Sequence, residues 1–385
     1  MYDMLYESCI WHSRVALFDP EGRLVSVHYD DVLRPFLDDA VVLGRVRSIS
    51  KGLDAAFVDI GHSLDGFLPL KTVPKEVGKV VEGQEIMVRI TRAPIGEKGA
   101  KLDARVLTRR PEGAVHVPSI ITPAPAAISR SLRDAGDKPV RVWIVDNRFR
   151  QEVAHYVREE NIFELSKYPD MELLEKIDEQ LDQAGGPEFV LPGGGALHIE
   201  MTKALTSIDV DSSRTPDGSS KNFRYDLNKR AAHEVFRLCT LLELGGSILV
   251  DFLNLSSERE RLDFQAYLDE VFTYDMIEHE VMPISRSGLV EIVRQRVGEN
   301  LMTRLKWPMY VAGDILLKLW RAPSYRGKIR IDANPDVAKI LRERLTHDQA
   351  LAYLGVEVDV RERNELNTEN WDKLYTRLDE IKENQ

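Results

Sequence analysis

The sequence predicts an α+β chain of several domains, and three observations carry that expectation. Its 385 residues exceed what one compact core holds and fit about two to four domains. Between residues 40 and 106 lies a series of short strands with turn signals and no long helix. From residue 204 to 252 a strand, a helix and a second strand succeed one another, the pattern of a parallel βαβ unit.

Each element follows in order. Arg14 to Phe18 and Arg23 to His28 read as a hairpin turning at Asp19-Pro20-Glu21-Gly22. Val41 to Val46, Ala55 to Ile60 and Glu85 to Ile90 are short strands whose spacing fits a small Greek-key barrel of the OB kind. Pro111 to Pro125 is proline-rich and reads as a linker. Pro139 to Asp146 reads as a strand, Gln151 to Asn161 as an amphipathic helix, and Gly193-Gly194-Gly195 as a turn before the strand Ala196 to Met201. Ala204 to Val210 is a strand, Ser212 to Asn222 a polar loop, and Phe223 to Leu244 a helix with Leu227, Ala231, Val235, Leu238 and Leu242 at helical spacing. Gly245-Gly246 ends that helix, and Ser247 to Phe252 is almost wholly apolar, as for a strand buried on both faces. Helix, strand and helix signals continue to Arg296. Ala312 to Leu319 (helix), Lys328 to Ile331 (strand) and Pro335 to Arg344 (helix) make a small terminal α+β domain.

Composition narrows the setting. No apolar run approaches the roughly 20 residues of a membrane span, so no membrane is expected. The opening Met1-Tyr2-Asp3-Met4 carries an acid and no basic-led apolar stretch, unlike a secretory signal. Two distant cysteines, Cys9 and Cys239, argue against a disulfide framework or a cysteine-rich zinc site, and a cytoplasmic, reducing address is expected. A net charge of −11 counts against a nucleic-acid partner as a sum, but phosphate binding needs only a local basic track. Arg92, Lys98, Lys101, Arg105, Arg109 and Arg110 form one candidate track; equally, they read as solvated surface charges.

In Ser207-Ile208-Asp209-Val210-Asp211, a period of two puts both carboxylates on one strand face. Asp251 ends the next strand of the βαβ unit, and in parallel sheets ligands gather at the carboxyl ends of strands. Oxygen donors without a neighbouring histidine or thiol in the sequence suit Mg²⁺, or Mn²⁺, for phosphodiester hydrolysis. Spacing alone leaves a second reading open, in which these acids cap strand ends through backbone amides. His62, His155, His198 and His233 sit singly and read as surface or core histidines.

Three motifs in order then resemble the metal-binding core of the ribonuclease E/G family: residues Leu205 to Ser212, Leu244 to Phe252, and Ile284 to Arg296. Leu53 to Gly61, Gly66 to Leu70 and the lysine turn Gly96 to Ala100 are similar to that family's OB-type RNA-binding domain. The resemblance covers most of residues 1 to 300. It implies a metal-dependent endoribonuclease that hydrolyses single-stranded RNA to 5′-phosphate and 3′-hydroxyl ends. Asp209 and Asp251 match the aspartates that hold the metal; Asp211, a third candidate catalytic residue, stands where the family commonly has asparagine. Phe57, Phe67 and Lys98 match residues that grip RNA, as aromatic faces and a cation would, whereas without the resemblance the two phenylalanines read as barrel core. Arg286, Arg294 and Arg296 match a basic motif that also reaches RNA; read alone, they equally fit a packed helix face with snorkelling arginines.

The resemblance further implies a RNase H-like domain (residues 1–38 and 137–193) interrupted by an OB barrel (39–110). Residues 111–136 would be a linker or a remnant of a 5′-end sensor, 194–305 a DNase I-like metal domain, and 306–385 a small C-terminal domain. The stretch from Lys98 to Val140 is short for a complete 5′-monophosphate sensor. The Cys-x-x-Cys that joins subunits through zinc is absent after Arg296, so no zinc-linked dimer is expected. Arg230 stands where the family usually carries glutamate. The alternative function is therefore a catalytically silent RNA-binding protein on the same scaffold.

Overall fold

The computed structural model describes residues 1–32, 36–113, 115–165, 171–213, 222–321, 328–346, 349–355, 357–368 and 375–377. In chain order, β1 (Tyr2–Cys9), β2 (His12–Phe18) and β3 (Leu24–Asp31) come first. There follow β4 (Val41–Ser50), β5 (Ala55–Asp59), β6 (Gly66–Pro69), β7 (Glu85–Arg92), β8 (Lys101–Asp103), β9 (Ser119–Thr122) and helix α1 (Ala127–Ala135). Next are β10 (Val140–Ile144), α2 (Arg150–Val153), β11 (Ile162–Glu164), α3 (Met171–Gly185), β12 (Glu188–Val190) and β13 (Ala196–Met201). The central stretch holds β14 (Leu205–Asp211), α4 (Phe223–Leu241), β15 (Gly246–Asp251), α5 (Glu258–Phe272), β16 (His279–Val281) and β17 (Leu289–Arg294). The chain closes with α6 (Leu301–Leu305), α7 (Pro308–Arg321), β18 (Lys328–Ala333), α8 (Pro335–Arg344), β19 (Glu357–Glu362) and β20 (Tyr375–Arg377). These elements divide into two compact units.

The first unit comprises Met1–Leu33, Ser131–Gly185 and Asn300–Gln385. Its larger sheet runs β11-β10-β1-β2-β3, with β1 antiparallel to β2 and parallel to β10. The predicted hairpin is β2 and β3, closed by Gly22 N–H donating to the Asp19 carbonyl (3.0 Å). A three-stranded sheet, β19-β18-β20, lies with α7 and α8 over a core that takes in Cys9 and Trp11 from the N-terminal strands. The terminal α+β segment therefore shares its core with the beginning of the chain. Buried Arg14 donates to Glu7 (2.8 Å) and to Asp178 (2.7 Å) of α3, and stands 4.0 Å from Asp314 of α7. Lys318 completes the cluster at 3.2 Å from Asp314. The expected helix from Gln151 to Asn161 stops at Val153, because beyond it no apolar stripe turns inward.

The second unit comprises Arg34–Arg130 and Gly186–Glu299 and holds two further sheets. The strand order β5-β6-β8-β7-β4-β9 closes on itself through a β4–β5 pairing, giving a barrel around Val42, Val58, Leu68, Val88, Ile90 and Leu102. The proline-rich stretch expected as a linker instead contributes β9, which pairs with β4, before the chain enters α1. A strand on a sheet's edge tolerates the flanking prolines.

The other sheet runs β12-β13-β14-β15-β17-β16. β14 and β15 are parallel, so the predicted βαβ unit is present. The last predicted helix is instead β17, antiparallel to β15. Its burial alternates, with Val290 and Ile292 fully buried and Glu291 and Val293 exposed, which is strand periodicity. One face of the sheet, carrying Ile208, Val210, Ile248, Val250, Val290 and Ile292, is buried together with α4 and α5. The opposite face carries the acids. Most of the predicted loop after Asp211, residues 214–221, lies outside the described residues.

Candidate functional site

The two strands of the βαβ unit place the carboxylates. In the β14–β15 register Asp209 stands directly beside Asp251, and both side chains lie on the exposed face while Ile208, Val210 and Val250 point inward. Among the described residues neither carboxylate forms an ion pair or a side-chain hydrogen bond. Two unneutralised acids at strand separation repel, and a cation between them relieves this. Asn228 of α4 fixes the chain just past Asp251: its side chain accepts from Leu253 N–H (2.9 Å) and donates to the Leu253 carbonyl (2.8 Å). On the other flank Gly288 (φ +99°) presses against Phe252, where a Cβ would come within 2.3 Å of the Phe252 carbonyl oxygen. Only glycine meets both conditions, and it brings the loop bearing Arg286 against the end of β15.

Asp211 shares the strand face but is engaged differently. Its carboxylate accepts from Ser213 N–H and from the Ser213 hydroxyl, each at 2.7 Å. Those bonds, first the amide and then the hydroxyl, hold its pKa below the usual carboxylate value. His198, which reads as solitary in the sequence, pairs with Asp209 across β13 and β14, and its Nε2 lies 3.6 Å from Asp211 Oδ2. Only the antiparallel register brings it there, so spacing gave no signal for it. Among the described residues no three or more histidine, cysteine or acidic side chains converge on one point. The donor set is thus a carboxylate pair. It fits a hard divalent ion that takes one or two carboxylates and keeps the rest of its shell for water and phosphate.

The three predicted arginines separate. Arg286 is exposed at the tip of its loop. Arg296 donates to the Gly245 carbonyl (3.2 Å) and stays exposed. Arg294 is a correction to the expected RNA contact: it is 4 % exposed and donates to Asp275 at 2.7 and 3.0 Å and to the Leu244 carbonyl at 2.7 Å. Its charge is neutralised inside the domain and cannot meet a phosphate. Arg230 donates to the Pro192 carbonyl (2.8 Å), bracing the glycine turn between β12 and β13.

On the barrel, Phe57 and Phe67 face each other across β5 and β6, ring centroids 6.0 Å apart and edge to face. Ala56, Val58 and Leu68 beside them fill the core, so both phenylalanines lie on the half-exposed outer surface. Lys98 is exposed in a tight turn in which Ile95 and Lys98 exchange backbone hydrogen bonds at 3.0 Å.

A family model described as the Ribonuclease E/G family matches residues 99–297, just over half of the chain. This chain belongs to the ribonuclease E/G family. An S1 RNA binding domain model matches residues 36–105, the barrel. Among ribonuclease E/G relatives, ribonuclease E of Escherichia coli K12 is 26% identical over 383 aligned residues, covering 75% of this chain and 36% of that protein. Ribonuclease E of Haemophilus influenzae is 26% identical over 382, covering 75% and 41%. Ribonuclease G of Escherichia coli K12 is 23% identical over 387, covering 75% and 78%. The chain spans about two fifths or less of the two ribonuclease E relatives it matches.

Proposed function

We propose that this chain is an endoribonuclease of the cytoplasm that cuts single-stranded RNA by hydrolysis, leaving 5′-phosphate and 3′-hydroxyl ends. The observation that carries the reading is the register that sets Asp209 beside Asp251, both exposed and neither paired with another described side chain, in a chain whose barrel matches an RNA-binding domain. Asp209 and Asp251 would hold Mg²⁺, or Mn²⁺, which when bound polarises a phosphoryl oxygen and lowers the pKa of water. The chain's own residues do the rest. Asn228 and the Gly288 turn keep the Asp251 strand end in place. Arg286, exposed beside that strand end, would meet the negative charge of the phosphate chain. Phe57, Phe67 and Lys98 would hold bases and backbone on the barrel.

The same reading extends to the domains. The mixed sheet of the first unit, three antiparallel strands extended by two parallel ones, supports a RNase H-like assignment for residues 1–38 and 137–193. The βαβ unit with β13, β16 and β17 supports a DNase I-like domain over 194–305, and β12 (Glu188–Val190), which precedes that range, adds an edge strand to the same sheet.

Cleavage of an end-labelled, A/U-rich single-stranded RNA with Mg²⁺ tests the proposal, comparing the natural chain with Asp209→Asn and Asp251→Asn. A metal contributes several kcal/mol to the transition state and 1.36 kcal/mol is a factor of ten, so each variant should lose on the order of a thousandfold. RNA bound but never cut, with binding indifferent to both substitutions, would instead favour a catalytically silent RNA-binding protein. The arginine at position 230, where the family usually has glutamate, is the feature that favours that second reading.

A further inference from the structure

The barrel surface carries a cation that the family motifs do not mark. Ladder pairing sets Phe57 opposite Phe67, Phe67 opposite Lys101, and Lys101 opposite Arg92. Directly paired residues point to one face, so the two aromatic rings and Lys101 form a single row across β5, β6 and β8, while a bulge between Ile90 and Arg92 interrupts the register onto β7. Burial agrees. Ala100 and Leu102, on either side of Lys101, are sealed in the core, and Lys101 is exposed.

Most of the basic run is already spent. Arg105 donates to Asp103 (2.5 Å), Arg110 pairs with Glu85, Arg89 stands 4.0 Å from Asp39, and Arg92 donates to the Gly99 carbonyl (3.4 Å). Lys101, like Lys98, makes no ion pair with a described residue. Its backbone is held firmly. Phe67 N–H donates to the Ala100 carbonyl (2.7 Å), the Thr91 hydroxyl to the Lys101 carbonyl (3.1 Å), and a Cβ on Gly99 would lie 2.0 Å from the Asp65 carbonyl oxygen. Lys101 is therefore anchored by its backbone on the strand position directly beside Phe67, with its side chain exposed.

We propose that Lys101 contacts a backbone phosphate of single-stranded RNA whose base stacks on the Phe57–Phe67 pair, so that the RNA crosses the barrel along this row. A ring and a neighbouring cation at strand spacing suit one nucleotide: the π-face takes the base and the ammonium the phosphate. The inference rests on the RNA-binding reading above and adds a residue to it.

The test is anisotropy of a fluorescein-labelled oligouridylate, with the full chain in EDTA to prevent cutting, over a series of salt concentrations. Each phosphate contact on a single strand adds about 0.7 to the slope of log K against log salt. Lys101→Gln should bind more weakly and lower the slope by about 0.7, so its deficit should shrink roughly 2.6-fold between about 50 and about 200 mM salt. Lys101→Arg should restore the slope. Phe67→Leu should lose about tenfold in affinity with the slope unchanged. Lys339→Gln, which removes the same charge from the exposed face of α8, should match the natural chain. Wild-type binding with an unaltered slope in Lys101→Gln overturns this proposal and leaves the RNA-binding reading standing. Absence of salt-dependent binding by the natural chain overturns both.

Discussion

Asp209 and Asp211 are two positions apart on one strand face, yet their surroundings assign them different work. Asp209 has Asp251 beside it and no hydrogen-bonding partner among the described residues, so its charge is available to a metal. Asp211 is occupied by the amide and hydroxyl of Ser213, which hold it ionised well below neutral pH. An asparagine there keeps the oxygen that accepts from Ser213 N–H, but it loses the charge and puts an amide NH2, which cannot accept, where the second oxygen takes the Ser213 hydroxyl. A charged hydrogen bond is worth about 1.5–3 kcal/mol, of which the neutral amide retains part. Asp211→Asn should therefore reduce RNA cleavage by about tenfold or less, against the thousandfold expected of Asp209→Asn. A loss as deep as that of Asp209→Asn, measured as kcat/KM on one labelled RNA, would place Asp211 among the metal ligands instead. At this scale the sequence was informative about residue type and weak on neighbours. The period of two is readable in Asp-Val-Asp, but the proximity of His198 depends on an antiparallel register that spacing does not encode.

Elements were legible where one period dominated. The apolar stripe of α4 and the apolar run of β15 stand out, and both form where expected. Residues 284–296 mix arginines with apolar residues, a composition that suits a basic helix as well as a strand. The structure resolves Leu289–Arg294 among them as β17, because pairing with β15 buries Val290 and Ile292 together. That change decides the role of Arg294, whose side chain is turned inward to bind Asp275, itself buried, and the Leu244 carbonyl. Removing one partner of a buried pair strands the other and costs about 3–5 kcal/mol. Arg294→Ala should accordingly lower the unfolding free energy by about that much in urea titration. At temperatures where it stays folded, its RNA salt slope should equal that of the natural chain. A reduced slope with unchanged stability would return Arg294 to the RNA surface. The β9 strand was hidden for another reason: its prolines mark a linker in sequence, while an edge position makes them harmless.

Over the whole molecule, the first unit is assembled from three separate stretches of chain, and no local pattern announces that. The terminal segment carries its own sheet and helices, so its sequence reads as a self-contained domain. Its apolar residues, Val311, Ala312 and Ile315 of α7 among them, instead pack with Cys9 and Trp11. Gly313 brings α7 so close that a Cβ would lie 2.4 Å from the His12 ring. Asp314 and Lys318 also extend the ionic cluster around Arg14. Ending the chain after Glu299 would therefore uncover a core shared between the two ends of the sequence. Each large apolar side chain returned to water costs about 1.5–3 kcal/mol, and an ionic cluster deprived of a partner about 3–5 kcal/mol. Together these approach the whole stability of an ordinary domain, about 5–15 kcal/mol. The truncated chain should show a red-shifted emission from Trp11 and no cooperative unfolding of the N-terminal sheet. A truncated chain that keeps a native near-ultraviolet dichroism spectrum and a sharp melting transition would mean that residues 1–185 and 186–299 contain every stabilising contact they need. The shared core would then be a covering and not a requirement.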